Sequence, residues 1–417
     1  MRTHTSTDPS SKWNPGWGVV TLLFLGSVIN YVDRSVLGVV KPQIQCDLGL
    51  SNVQYGWAVN GFLATYTIFY ILGGRLADWW GYRRMFTVNV LFWSAACSLH
   101  AWTRGLAGLV FFRGLLGAGE GGFYPAAMRG AAEWFGPENR AKAVGILLCG
   151  LSVGTVITPP VVGAITGRWG WRAGFLFAGL IGFLLVPPWL WLHRRIRNAP
   201  RSTVPNRDLQ ESTVPIRRVL AHRKYLGFLL ARAVTDAVWT FYLFWMPGYF
   251  QEVRGFDLAA VVRLLWIPFF AADLGALAGA WASSGLVRSG WSVDHSRKLL
   301  LLVSAAMGTL GMLVPLAGHS MVALALVSLV LFGQLSWSSN IHTTITEIAP
   351  KAHVAILYGI TGAAGNGLGA VAQPLIGHAV DTWGYSPVFV AAGMTYVVAV
   401  CFVLAAGRIE PIERKTP

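Results

Sequence analysis

Leu106–Met128 reads LAGLVFFRGLLGAGEGGFYPAAM. As a helix rising 1.5 Å per residue, this run is long enough to cross the roughly 30 Å hydrocarbon core of a bilayer. Yet it carries two charges, Arg113 and Glu120. They are seven residues apart, so two helical turns return them to nearly the same face, about 10 Å from each other. Tyr124 continues that stripe. A charge at membrane depth costs about 2.5–3.5 kcal/mol on insertion scales, and such groups face a partner or a water-filled cavity. Gly114, Gly117, Gly119, Gly121 and Gly122 flank the stripe and suit close packing against neighbouring helices through small residues.

The rest of the chain has the same character. Of 417 residues, 54% are hydrophobic and 12% charged, about half the charged fraction usual in soluble domains. Apolar blocks recur at membrane-spanning length. They place twelve spans at 16–41, 54–76, 85–103, 106–128, 142–166, 172–193, 225–250, 258–284, 299–317, 320–345, 353–380 and 386–407. The chain therefore reads as an all-α polytopic membrane protein of twelve transmembrane helices in two six-helix bundles. The expected organisation is a cytoplasmic N-tail at 1–15, a first bundle at 16–193, a cytoplasmic linker at 194–224, a second bundle at 225–407 and a cytoplasmic C-tail at 408–417. The linker, rich in Arg, Pro and Ser, reads as a flexible connection.

The net charge of +15 does not indicate nucleic-acid binding, because the basic residues follow alternate loops instead of one patch. With the N-terminus in the cytoplasm, cytoplasmic segments hold 24 of the 33 Lys and Arg residues and outer segments six; Arg34, Arg113 and Arg232 remain within spans. The positive-inside rule then places both termini in the cytoplasm of a multi-pass protein of the cell's inner membrane. The first apolar block is long enough to remain as a span, so no cleaved leader is expected. Cys46, Cys97, Cys149 and Cys401 show no metal or disulfide spacing. No nucleophile–base pair, metal cluster or cofactor motif points to an enzyme. Membrane lipid is an expected partner, and the chain is expected to act as a monomer.

Span 1 adds two further charges, Asp33 and Arg34. Adjacent helical residues point about 100° apart. Both lie at a depth comparable to Arg113, so three charges from two helices can meet, with one arginine holding Asp33 while the other takes a ligand. An arginine fork matches a carboxylate bidentately. Asp33 and Glu120 are candidates for proton uptake and release. Tyr31, Tyr66, Tyr124, Tyr242, Trp337, Asn340 and Asn366 are candidates for the wall of a cavity, since aromatic rings with hydroxyl or amide groups suit a polyhydroxy ligand. Trp245 and Gln373 are further candidates. Arg232 and Asp236, spaced i,i+4, can pair within span 7.

Between spans 2 and 3 stands GRLADWWGYRR, Gly74–Arg84. Gly74 and Gly81 allow a tight reversal, Asp78 can cap or pair with a helix end, and Arg83 and Arg84 anchor at the inner interface. In letters and position this resembles the signature gating loop of the major facilitator superfamily. The equivalent loop in the second half, Gly279–Lys298, has Ser283–Ser284 where an acid is expected, which implies that this side of the gate is held differently. NYVDRSVLGVV (Asn30–Val40), RGLLGAGEGGFYPA (Arg113–Ala126) and DAVWTFYLFWMPGYFQEVRGF (Asp236–Phe256) resemble the anion:cation symporter branch. That branch includes bacterial hexuronate and galactonate symporters, sialin and the vesicular glutamate transporters. IPFFAADLGALAG (Ile267–Gly279) and DTWGYSPVF (Asp381–Phe389) are similar to the hexuronate type. The vesicular glutamate transporters carry an arginine just before the WTFY of span 7, where this chain has Ala237–Val238. The resemblance implies proton-coupled uptake of a sugar acid such as a hexuronate or aldonate by alternating access. It further implies Asp33 and Glu120 in proton coupling and Arg34 on the substrate carboxylate. Two alternatives stay open: symport of another carboxylate such as an aromatic acid, or a transport-inactive membrane sensor of the same fold.

Overall fold

The computed structural model describes residues 15–135, 137–196, 215–350 and 353–412, with only the backbone course described at positions 74, 78, 132, 137–141, 354 and 355. All twelve expected spans fall on helix. Span 1 is α1 (Pro15–Val39), and the chain continues into a short α2 (Lys41–Leu48) closed by Gly49 at φ +62°. Spans 2 and 3 share α3 (Asn52–Leu99). Span 4 is divided at Gly122 into α4 (Leu106–Gly121) and α5 (Phe123–Trp134). Spans 5 and 6 share α6 (Pro137–Arg195). A short α7 (Ile216–Leu220) leads into α8 (Arg223–Glu252), which is span 7. Span 8 is α9 (Leu258–Leu264) with α10 (Trp266–Arg288), and span 9 is α11 (Val293–Thr309) with a 3-10 turn after it. The last three are α12 (Ser320–Ile348), α13 (Val354–Trp383) and α14 (Ser386–Ala406). Residues 1–14, 413–417 and most of the 194–224 connection fall outside the described residues.

Sequence patterns set where these helices start and turn. A reciprocal capping box opens α3: Ser51 Oγ accepts from the Gln54 amide and the Gln54 side chain accepts from the Ser51 amide, satisfying two donors that a helix start leaves unpaired. Gly81 reverses α3 at φ +76° and ψ +151°, a region that essentially only glycine enters. The same device recurs. A glycine with positive φ followed by an aromatic residue stands at Gly81–Tyr82, Gly170–Trp171, Gly255–Phe256, Gly290–Trp291 and Gly384–Tyr385. All but Gly255, which lies between spans 7 and 8, join the second and third helices of a successive set of three.

Large apolar side chains cover the outside of the bundles. Leu184, Leu375 and Ile71 are 72%, 66% and 61% exposed, as lipid-facing positions must be when no water drives them inward. Polar and charged groups turn inward instead. α1 packs against α6 and α3 against α4 in the first half; α10 packs on α12, and α8 on α13 and α14, in the second. The halves meet through α3 with α13, α1 with α8, and α6 with α9 and α10.

One end of this interface is tightly closed and is called here the Lys41 end. Lys41 Nζ lies 2.6 Å from Glu252 Oε1 and donates to the Tyr385 hydroxyl at 3.0 Å. Tyr385 in turn donates to Glu252 Oε2 at 3.0 Å. Asp381 accepts from the Asn52 amide and side chain and from the Val53 amide, at 2.9–3.0 Å, so a carboxylate of one half caps a helix of the other. Deeper, Tyr55 donates to the Phe244 carbonyl and Asn60 to the Ala370 carbonyl. Gln251 donates to the Val39 carbonyl on this side too, whereas on the cavity side Ser152 bonds Asp273 across the interface.

Candidate functional site

The two costly charges of span 4 do not pair with each other. Glu120 is taken by Arg34 of α1, whose Nε and Nη2 both donate to Glu120 Oε2, at 3.2 and 2.9 Å. Arg34 Nη2 also reaches Asn30 Oδ1 at 3.4 Å. Tyr66, Tyr31 and Phe62 surround the guanidinium, with ring centroids 4.5, 4.7 and 5.0 Å from its carbon. Such stacking holds a delocalised cation that is only weakly hydrated. Arg34 is 7% exposed and Glu120 fully buried. Glu120 Oε1 has no hydrogen-bond partner. The glycines beside Glu120 make this possible: a Cβ at Gly117, Gly119 or Gly121 would collide with the α3 backbone at Phe62, Trp93 or Tyr66, so only glycine lets α4 approach α3 this closely.

The expected meeting of Asp33 with Arg113 does not form. Asp33 turns away from Arg34, as adjacent residues on a helix must, and faces α3. Its Oδ1 receives the Cys97 thiol at 3.5 Å and its Oδ2 has no partner. Arg113 lies against Phe62 and Phe244, at 4.6 and 5.7 Å, with all three guanidinium nitrogens unpartnered. Both are fully buried. Depth along the spans was legible from the sequence; the direction each side chain takes around its helix was not.

A cavity of about 300 Å³ lies between the halves next to this cluster. Tyr31 and Asn366, both expected on its wall, are on it. Leu151, Ser152 and Thr155 of α6 line the first-half side; Asp236, Trp239, Asp273 and His342 line the other. Tyr66 stacks beside Arg34 just behind Tyr31. Tyr124 is buried and hydrogen-bonds Ser27 at 2.7 Å. Asn340 is buried too, its amide donating to the Ser336 carbonyl. Tyr242 and Trp337 are packed away from the cavity. The first lies among Phe241, Phe389 and Gly311, and the second donates to Thr235 and meets Tyr396 edge-on. Trp245 and Gln373 likewise bond each other inside the second half. These four rings and amides were expected on the wall because residue type and depth suit it; their helical azimuth points them to helix–helix contacts instead.

The sequence profile of the Major Facilitator Superfamily matches residues 23–372. The chain belongs to that superfamily. It is a multi-pass membrane transporter, not an enzyme. It is 26% identical over 414 residues to the hexuronate transporter of Escherichia coli (strain K12), covering 96% of this chain and 94% of the relative. It is 29% identical over 396 residues to the hexuronate transporter of Bacillus subtilis (strain 168), covering 91% and 92%. To the D-galactonate transporter of Escherichia coli O6:H1 it is 26% identical over 415 residues, covering 94% and 96%. The fold matches a bacterial homolog of the human lysosomal transporter Spinster in an inward-facing, occupied conformation, with TM-score 0.73 and 18% identity over 96% of each chain. It also matches the D-xylose–proton symporter, with TM-score 0.72 and 18% identity over 95% of this chain and 98% of that one.

Within the superfamily's signature loop, Gly81 makes the reversal and Arg83 and Arg84 stand with Trp80 beside a shallow groove; the Gly74 and Asp78 side chains are not described. In the second half the missing loop acid is replaced from elsewhere. Arg297 donates to Ser283 at 2.6 Å and forks onto both oxygens of Glu347, at 2.8 and 3.3 Å. Asp294 instead pairs with Lys298. The expected Arg232–Asp236 pair forms at 3.2 Å, and Arg232 also bonds Thr361 and stacks on Tyr358. The Lys41–Glu252–Tyr385 latch and the cavity role of Trp239 had no signal in the sequence, since Lys41 and Glu252 read as ordinary loop charges.

Proposed function

We propose that this transporter carries out proton-coupled uptake of a small organic anion, a sugar acid such as a hexuronate or aldonate. The observation that carries the reading is the Arg34–Glu120 pair beside the cavity. Glu120 occupies the guanidinium fork that a substrate carboxylate would use. Protonating Glu120 weakens its hold on Arg34 and frees the fork for the incoming anion; deprotonation reclaims it and helps expel the anion. Proton and anion binding are thereby linked through competition for one cation. Asp33, with an unpartnered oxygen in the same helix bundle, is the second proton-carrying group, and Arg113 holds the region positive when Glu120 is neutral. Tyr31, Tyr66 and Asn366 contact the substrate, with Tyr124 and Asn340 supporting the wall. The twofold-repeated superfamily fold and the hexuronate and galactonate transporters among its relatives support this class of substrate.

The excess of basic residues in alternate loops supports a cytoplasmic location for both termini in the cell's inner membrane, with 16–193 and 225–407 as the moving bundles. The Lys41 end is then the outer end, and the structure is closed to the outside. An aromatic acid is the second reading, favoured by Tyr31, Trp239 and Phe269 on the cavity wall. A thermal-shift panel of uronates, aldonates and aromatic acids separates the two. Arg34→Lys loses the fork, so binding of the preferred acid falls roughly tenfold to a hundredfold, the worth of a hydrogen bond to a charged group. Unchanged affinity in that variant would remove Arg34 from the site.

A further inference from the structure

The second-half wall of the cavity carries a carboxylate that the coupling scheme does not use. Asp273 lies on α10 and hydrogen-bonds Ser152 of α6, and among the described residues it forms no ion pair. The other carboxylate on that wall, Asp236, is neutralised by Arg232. His342, the remaining titratable group there, is turned to Tyr358 and Ser338, at 3.3 and 3.5 Å. On the opposite side stands Arg34, reached through Tyr31. Once protonation of Glu120 releases Arg34, the cavity is therefore polarised, with a cation by one wall and a carboxylate without an ion-pair partner on the other.

We propose that Asp273 is a specificity-determining residue. It accepts hydrogen bonds from hydroxyls at the end of the substrate remote from its carboxylate, and it excludes a second carboxylate from that position. The proposal rests on the anion-transport reading above and narrows it to monocarboxylates. An ionised carboxyl offers acceptors only, so it suits a hydroxyl donor. A dicarboxylate of the same length would bring a like charge and further acceptors into a partly desolvated space, leaving both unsatisfied. Asn would keep the shape of Asp273 while removing the charge and supplying a donor.

The test compares an aldonate with the aldarate of equal carbon number, by competition binding to the purified full-length protein in liposomes at pH 7.5. The wild type is expected to prefer the aldonate by roughly tenfold or more. In Asp273→Asn the aldonate weakens roughly tenfold, the loss of a charge-assisted hydrogen bond, while the aldarate tightens, so the preference collapses. Asp273→Glu keeps the preference, because it keeps the charge. Equal wild-type affinity for the two acids, which needs no variant, would overturn the proposal. So would a preference that is indifferent to Asp273→Asn while carboxylates still bind. If a protein with an intact melting transition binds no carboxylate at all, the transport reading itself fails and takes this proposal with it.

Discussion

Replacing Lys41 with Met should open the latched end of the molecule. Lys41 is completely buried, whereas the Glu252 side chain is 29% exposed. Three rings, those of Trp245, Tyr55 and Tyr385, lie 5.3, 5.4 and 5.6 Å from the ammonium. Met retains the apolar stem and its packing among these rings but loses the charge and the bonds to Glu252 and Tyr385. Breaking a fully buried pair costs about 3–5 kcal/mol. Glu252 regains water on one side and still accepts from Tyr385, so the closed state loses about 1–3 kcal/mol. That shifts the closed-to-open ratio by roughly fivefold to a hundredfold. The assay is a spin-label distance between Trp102→Cys and Leu316→Cys, exposed positions in the two halves, with the exposed Cys46, Cys149 and Cys401 replaced by Ser. The closed-distance population should fall in Lys41→Met and in Glu252→Gln, and the double variant should add little to either. Distance distributions that match the parent in both single variants would refute the latch.

Gly56 stands where α3 crosses α13, and a Cβ there would sit 2.8 Å from the Gln373 carbonyl carbon and 2.9 Å from Pro374 Cα. Gly56→Val should therefore disfavour closure by about 1–3 kcal/mol, read by the same label pair as a smaller closed fraction. Asp381, in the last turn of α13 beyond the expected membrane span 353–380, tests the cross-half cap. Partial burial pushes its carboxyl up, but bonds from the Val53 amide and Asn52 outweigh this and hold it below the usual range. The cap therefore favours closure fully above about pH 3.9, the ordinary Asp value. That contribution is lost as pH falls through the lower closed-state value. Titrating the label distance should show this acid opening in the parent and not in Asp381→Ala.

Much of this architecture was legible in the sequence, because apolar runs of spanning length and charges stranded within them are local signals. Arg34, Arg113 and Glu120 stood out for that reason. Their partners did not, because pairing depends on azimuth around each helix and on the tilt of neighbours. Asp33 and Arg34 illustrate this: one residue apart, they face different helices, one toward Cys97 and the other toward Glu120. Tyr242 and Trp337 were placed on the wall by residue type and turned out to be packed between helices. The latch joins residues 211 positions apart, a separation over which a single sequence carries no pairing signal.

Proton movement driven by substrate in proteoliposomes tests the coupling between Glu120 and Arg34 most directly. Adding a bound sugar acid outside vesicles that contain a pH indicator should acidify the lumen of wild-type vesicles. Glu120→Gln should abolish both that signal and uphill accumulation while preserving exchange of internal for external substrate. Substrate uptake without proton movement in the wild type, or full uphill transport by Glu120→Gln, would contradict the account.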